Sequence, residues 1–356
     1  MATEVIGLKI GASRLVAARV SNNGGHSLTS VASHDLPPGL ILRGELQSPE
    51  ALSAELKDFF SANKLPKKRV RLGVASNRMG VRTIDIPGAL SESELADAVT
   101  FRAQEDLPIP VMDAALDYEV IDERTTEDGE PVRRVLVAVA YRDLIYNLAR
   151  AFEGAGIGLI GIDLEALALL RSLTPPSTTA QSAGTASSAT VIVNVGSDHT
   201  VVAITDGRAL EYARVIEWGG ANVTEALAES LQLELEEAER IKRSLSDAPD
   251  ELPNGLTQEF AGDARELVDG QVTAFAREFV STLQYYQGQS DSLAISHVVL
   301  AGGGARLSAL ASGLEGLTGV PVRLGDPTVR LHSLPSDEAF VPGPELAVPI
   351  GLGLGQ

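Results

Sequence analysis

Cysteine is absent from all 356 residues, which excludes disulfide frameworks, thiolate nucleophiles, Cys-ligated zinc and iron–sulfur clusters. Positive charge is scarce. Lys and Arg total 29 against 48 Asp and Glu, a formal net charge of −19. That balance argues against a nucleic-acid binder, where attraction to phosphate supplies most of the non-specific affinity. Long apolar runs are missing as well. Residues 1–10 lack the basic region and apolar core of a signal peptide. Residues 154–170, the most apolar later stretch, carry Asp163 and Glu165 and fall short of the ~20 apolar residues of a membrane helix. Residues 348–356 are apolar but short and without a cationic face, a poor amphipathic anchor. The expectation is a cytoplasmic chain with no membrane insertion of its own, meeting a membrane only through a partner.

Known catalytic signatures are also lacking. No G-x-x-x-x-G-K-[ST] or G-x-S-x-G occurs. His26, His34, His199, His297 and His332 are scattered, with no H-x-x-x-H spacing, so no residue is assigned to a metal. Gly156 to Gly161 satisfies G-x-G-x-x-G, but a predicted helix precedes it where a strand is required. A nicotinamide-dependent oxidoreductase using that turn is therefore disfavoured. No catalytic residue is assigned.

What is present is an ordinary globular composition, 44% hydrophobic and 22% charged, with room for two or three domains. Apolar runs at 4–10 and 14–20 flank Gly11-Ala12-Ser13, a strand–turn–strand signal. A helix is predicted near 49–62 and strands near 69–76 and 81–87. Ser91 to Glu94 forms a capping box that starts a helix ended by Pro108 and Pro110. Strands at 116–122 and 134–140 surround a turn at 126–131, and a helix follows near 143–153. A strand and a short helix then lead to Leu173, and residues 174–189 read as a low-complexity linker.

Beyond the linker the opening pattern returns, with Asn194 overlaying Lys9 and Gly196 overlaying Gly11. Asp206-Gly207 is a hairpin turn into a strand at 209–216. One helix is predicted over 223–245 with Asn222 as its N-cap, and another over 260–287. A strand at 297–301, the turn Gly302-Gly303-Gly304 and a helix at 306–317 complete the pattern. Two similar α/β halves imply a cleft between them, where ligands favour the carboxyl ends of strands. Glycine turns at 11, 196 and 302–304 sit after strands. Such turns let backbone N–H groups approach a phosphate.

These motifs resemble the actin-like fold and, within it, the type IV pilus assembly protein PilM family, relatives of the division protein FtsA. The resemblance covers nearly the whole chain. It rests on Ile6-Gly-Leu-Lys-Ile-Gly-Ala-Ser13, Val193-Asn-Val-Gly196, Trp218-Gly-Gly-Ala-Asn-Val-Thr224, Glu237-Ala-Glu-Arg-Ile-Lys242 and Val299-Leu-Ala-Gly-Gly-Gly-Ala305. It implies an α/β, duplicated RNase H-like, two-lobed fold with an inserted subdomain. The first lobe would comprise 1–80, 154–173 and 341–356, and the insert 81–153. The second lobe would comprise 190–222 and 296–340, with a helical part at 223–295.

The resemblance further implies ATP or ADP between the lobes. Phosphates would lie against Gly11, Ala12, Ser13 and Gly196, and adenosine near Gly303, Glu239 and Lys242. Lys9, Asn194, Gly219, Gly220, Gly302 and Gly304 complete the implied nucleotide site. An exposed ion pair is the other reading of Glu239 and Lys242. Active members of the fold carry Asp where this chain has Lys9 and Asn194, which moves the local charge from −2 to +1. Nucleotide is therefore expected without tightly held Mg²⁺ and without efficient hydrolysis; the other reading is that Lys9 points away and pairs with a nearby acid in an empty cleft.

The implied role is a cytoplasmic scaffold, peripheral to the inner membrane, that receives the N-terminal peptide of a PilN-like membrane protein in a groove between first lobe and insert. Other pilus platform proteins are expected alongside, and self-association is left open. An active actin-like ATPase and a type II secretion component are the alternatives.

Overall fold

The computed structural model describes residues 4–355 apart from 107–108, 111–112, 126–128, 176–187, 248–256, 290–291 and 337–339. Pro108, part of the 126–131 turn and most of the 174–189 linker lie outside the described residues. Ala189 already belongs to a strand.

The duplication predicted from the returning pattern is visible as two sheets of one design. In the first, β1 (Glu4–Ile10), β2 (Arg14–Asn22) and β3 (His26–Asp35) run antiparallel. A small hairpin of β4 (Ile41–Leu42) and β5 (Glu45–Leu46) and helix α1 (Pro49–Ala62) lead to β6 (Val70–Val74), which pairs parallel with β1. Much later β10 (Leu159–Leu164) pairs parallel with β6 and completes the order β10-β6-β1-β2-β3. The second sheet repeats this plan with β11 (Ala189–Val195), β12 (Thr200–Thr205), β13 (Leu210–Ile216), β14 (Ile295–Ala301) and β15 (Val322–Leu324). Its order is β13-β12-β11-β14-β15, three antiparallel strands followed by two parallel ones. Strand β1 thus corresponds to β11, and β2 to β12. Strand β12 is buried along its whole length because helices cover both faces, so its apolar residues run without a polar alternation.

Three local features differ from the sequence reading. Strand β3 was not predicted, because its sequence is mostly polar; as an edge strand it buries only Leu28 and Ala32. The helix expected over 223–245 is two helices, α5 (Gly220–Leu231) and α6 (Leu235–Asp247). Gln232 ends α5 in the left-handed region at φ 54°, and the Leu233 N–H donates back to the Ala228 carbonyl. Neither Gly nor Pro marks that break. Asn222 is not the N-cap. It lies one turn inside α5, where its Oδ1 accepts the N–H of the actual cap, Gly219, at 2.9 Å.

Between β6 and β10 the chain makes a separate three-stranded sheet, β7-β9-β8, from β7 (Met79–Pro87), β8 (Ala114–Thr125) and β9 (Pro131–Tyr141). Helix α2 (Glu92–Asp106) covers one face, and the predicted capping box is formed by Ser91 and Glu94. On that face Ile84, Ile86, Val135 and Val137 meet Leu95 and Val99. Period-two alternation sends Val81 and Leu136 to the other face, into one apolar cluster with Ile192, Val201 and Ala203 of the second sheet. Arg134 pairs with the nearly buried Glu211 at 2.6 Å across the same interface. The inserted sheet therefore touches both lobes, and α3 (Arg142–Ala155) returns the chain to the first.

Helices α4 (Glu165–Leu173) and α9 (Ala347–Leu354) fill the space between the lobes. The long helix α7 (Gln258–Gln287) and the shorter α8 (Ser308–Thr318) pack behind the second sheet. Every residue of α9 is buried, so the apolar C-terminal segment is core. Its glycines permit contact at backbone distance: a Cβ on Gly351 would lie 1.8 Å from the Ala168 carbonyl oxygen of α4. Substituting Gly351→Ala is expected to lower stability by at least the usual cost of overpacking, about 1–3 kcal/mol. A fall in the urea midpoint checks this, whereas an unchanged midpoint would show that α9 is not seated against α4.

Candidate functional site

The corresponding strands β1 and β11 end in identical turns. Gly11 N–H donates to the Arg14 carbonyl at 2.9 Å, and Gly196 N–H donates to the His199 carbonyl at the same distance. Ala12 and Ser13 complete the first turn, and the Ser13 carbonyl accepts from Leu36 N–H. Two residues before each turn stand Lys9 and Asn194, and both reach one carboxylate, that of Glu165 at the start of α4. Lys9 Nζ lies 3.0 Å from Glu165 Oε2, and Asn194 Nδ2 donates to the same oxygen at 3.3 Å. Glu165 is 1% exposed and Asn194 2%. The acid sits in the first turn of α4, where the helix dipole favours negative charge.

This contact corrects the charge read from the motifs alone. The value of +1 omits Glu165; with it the local sum is zero, reached by an internal acid. Among the described residues no group of three His, Asp or Glu could hold a metal ion. An amine and an amide already share one oxygen of Glu165, and that donor set does not fit Mg²⁺.

The remaining predicted residues connect to this point through successive contacts. Gly302 adopts φ 82°, and a Cβ there would fall 2.7 Å from Asn194 Oδ1 and 2.3 Å from the Val195 carbonyl oxygen. Gly304 packs on the Val195 side chain, whereas Gly303 faces open space. The second glycine turn also caps α5: Gly220 N–H donates to the Gly196 carbonyl at 3.0 Å and Ala221 N–H to the Ser197 carbonyl at 2.7 Å. Gly219 lies against the same two carbonyls.

From α6, Lys242 donates to the Gly220 carbonyl at 2.9 Å and to Thr224 Oγ1 at 2.8 Å, and it pairs with Glu239. Burial raises the Glu239 carboxyl, but hydrogen bonds from Lys242 and Thr224 outweigh it and hold the group below its usual value. With 11% of its side chain exposed, Lys242 is no member of an exposed ion pair. It ties α6 to the first turn of α5.

Glu165 escaped the sequence reading, and so did the contacts across the mouth of the cleft. Gly44 N–H, in the β4–β5 hairpin of the first lobe, donates to Asp198 Oδ2 at 3.2 Å. Asp198 Oδ1 lies 2.7 Å from His199 Nδ1. Burial raises the Asp198 carboxyl, and its hydrogen bonds with His199 and Gly44 hold it below the usual value. Asn77 and Arg43 of the first lobe both reach Glu217 of the second. No motif links these loops; only folding brings them together.

A separate open groove of about 370 Å³ lies where the first lobe meets the inserted sheet, lined by Arg78, Asp113, Tyr141, Arg142 and Asp143. Its floor is ordered by Arg78, whose guanidinium stacks 4.4 Å above the Tyr141 ring and donates to Asp143 at 2.8 Å. The hydrogen bond from Arg78 holds the Asp143 carboxyl below its usual value. The turn Gly156–Gly161 joins the C-terminus of α3 to β10, so it has no strand before it and no helix after it within the motif.

Comparison with known proteins agrees with this architecture. A family model described as type IV pilus assembly protein PilM matches residues 7–354. The cell division protein FtsA of Bacillus subtilis (strain 168) is 31% identical over 107 residues, 30% of this chain and 23% of FtsA, so the match spans under a quarter of that protein. The solved PilM–PilN type IV pilus biogenesis complex superposes with a TM-score of 0.80 at 26% identity, covering 99% of this chain and 98% of that one. MreB5 of Spiroplasma citri bound to ADP superposes with a TM-score of 0.53 at 13% identity, covering 98% and 94% respectively. At that identity it shows the actin-like fold alone.

Replacing Lys9 by Met leaves the Glu165 carboxylate buried without its cation. Removing one partner of a buried pair typically costs about 3–5 kcal/mol. Urea unfolding of Lys9→Met is expected to show a loss of that size, largely recovered in Lys9→Met/Glu165→Gln. A Lys9→Met protein as stable as the parent would contradict the contact.

Proposed function

The chain belongs to the type IV pilus assembly protein PilM family, and on that premise we propose that it is a docking platform at the cytoplasmic face of the inner membrane. Its partner is the short cytoplasmic N-terminal peptide of a PilN-like membrane protein. The observation that carries this reading is the groove between the first lobe and the insert, in a chain that shares 99% of its length with the PilM fold of the PilM–PilN complex. The groove is lined by the Tyr141 ring, on which Arg78 stacks, and by the carboxylates of Asp113 and Asp143 beside the guanidiniums of Arg78 and Arg142. A peptide carrying Arg or Lys suits the net charge of −19, which favours encounter with a cationic partner. No helix among the described residues is long and apolar enough to cross a membrane, so the partner supplies the attachment.

The cleft is a nucleotide site in the same reading. The turn of Gly11, Ala12 and Ser13 and the turn at Gly196 would hold phosphates, and the region of Gly303, Glu239 and Lys242 would hold adenosine. Support comes from the matching turn hydrogen bonds and from MreB5, which shares the fold and is bound to ADP. Lys9 and Asn194 supply an ammonium and an amide where metal-borne phosphoryl transfer requires carboxylates. The nucleotide is therefore held without Mg²⁺ and is not efficiently hydrolysed.

Affinity capture from detergent-solubilised membranes is expected to recover a single-span protein with a short basic cytoplasmic tail. Tyr141→Ala is expected to weaken a synthetic peptide of that tail at least tenfold, about 1.4 kcal/mol. Equal binding by the variant would place the peptide elsewhere. Calorimetric titration with ATP should give the same affinity in EDTA and in Mg²⁺, with no phosphate released; tight Mg²⁺-dependent binding with turnover would reject the nucleotide reading.

A further inference from the structure

We propose that Glu165 is a built-in competitor for the nucleotide: an internal carboxylate that occupies Lys9 and must be displaced before a nucleoside di- or triphosphate can engage that ammonium. The inference rests on the nucleotide reading above and adds a regulation to it. Lys9 faces Gly73 of β6 in the parallel register, and Glu165 packs over that glycine beside α9: a Cβ on Gly73 would lie 2.9 Å from Leu352 Cδ1, 3.2 Å from Val348 Cγ1 and 3.4 Å from Glu165 Cγ. The acid is thus enclosed by β1, β6, β11, α4 and α9, and the charged group these elements bring to it is Lys9.

Displacement is costly for a definite reason. A phosphate that draws Lys9 away leaves Glu165 charged, 1% exposed and held by one amide donor. An uncompensated buried charge is far less favourable than the pair. What the phosphate gains at Lys9 is offset by what Glu165 loses. Asn194 carries the consequence to the second lobe, because it holds the same Oε2 from β11. Moving Glu165 to relieve its charge breaks that hydrogen bond between the lobes. Nucleotide binding and loss of that hydrogen bond between the lobes are therefore one event, and the resting protein is weak in affinity.

The test is isothermal titration of the full chain with ATP in EDTA, comparing the parent, Glu165→Gln and Glu165→Asp. The Gln variant removes the competing charge at nearly constant volume and is expected to bind ATP at least tenfold more tightly. The Asp variant keeps the charge but withdraws it from Lys9 by one methylene, and is expected to gain at least threefold. Should Glu165→Gln fail to fold by circular dichroism, Glu165→Asp decides. Adding Lys9→Met to Glu165→Gln should abolish the gain. Equal affinities for parent and variants would overturn the competition while leaving the nucleotide site intact. No detectable binding by any of them would overturn the nucleotide reading itself.

Discussion

One buried carboxylate organises the centre of this molecule. Glu165 is 1% exposed and is paired with Lys9 at 3.0 Å, and Asn194 holds the same oxygen from the opposite sheet. The duplicated design explains the convergence. Strands β1 and β11 end in identical turns, so the residues two before each turn are structurally equivalent and both point to the junction of the lobes. A chain with two acids at those positions would present three carboxylates there and need a cation from outside. This chain carries the cation in its own first strand.

Further contacts join the lobes around that central one. Asp198 and Gly44, and Glu217 with Arg43 and Asn77, meet only if the lobes are together. The inserted sheet adds a broader contact, with Val81 and Leu136 entering a cluster of second-lobe residues and Arg134 reaching Glu211. The groove at Arg78 and Tyr141 lies where β7 begins and β9 finishes. The surface proposed to receive a partner peptide is thus built on an element braced against both lobes. A rigid platform suits a docking role better than a cleft that must cycle through metal-driven closure.

Much of the fold was legible because the duplication repeats in sequence. Apolar run, glycine turn and apolar run recur at 4–20 and 191–205, and they fold into corresponding strands. Strand β3 was invisible because edge position lets polar residues form it. The break between α5 and α6 was hidden because Gln232 takes the left-handed conformation usually marked by glycine. At the site, the glycine turns and the equivalence of Lys9 and Asn194 could be read from spacing, and the family resemblance marked both as departures from the usual Asp. Glu165 could not, because it lies 29 residues from Asn194 and far from Lys9 in the chain, in a short helix with no motif of its own. Counting charge on motif positions alone therefore gave +1 where the folded site has zero.

At the centre of the molecule the lobes are joined by an internal acid, Glu165, paired with Lys9 within the first lobe and held by Asn194 from the second, and not by a metal-bound nucleotide. Because the chain has no cysteine, spin labels can be placed at two positions without removing native thiols. Lys57 on α1 and Arg240 on α6 are both exposed and lie in different lobes. Pulsed electron–electron distance measurement on Lys57→Cys/Arg240→Cys should give one narrow distribution in nucleotide-free EDTA buffer, unchanged by Mg²⁺. A broad distribution that narrows only when Mg²⁺ and ATP are added together would contradict the claim.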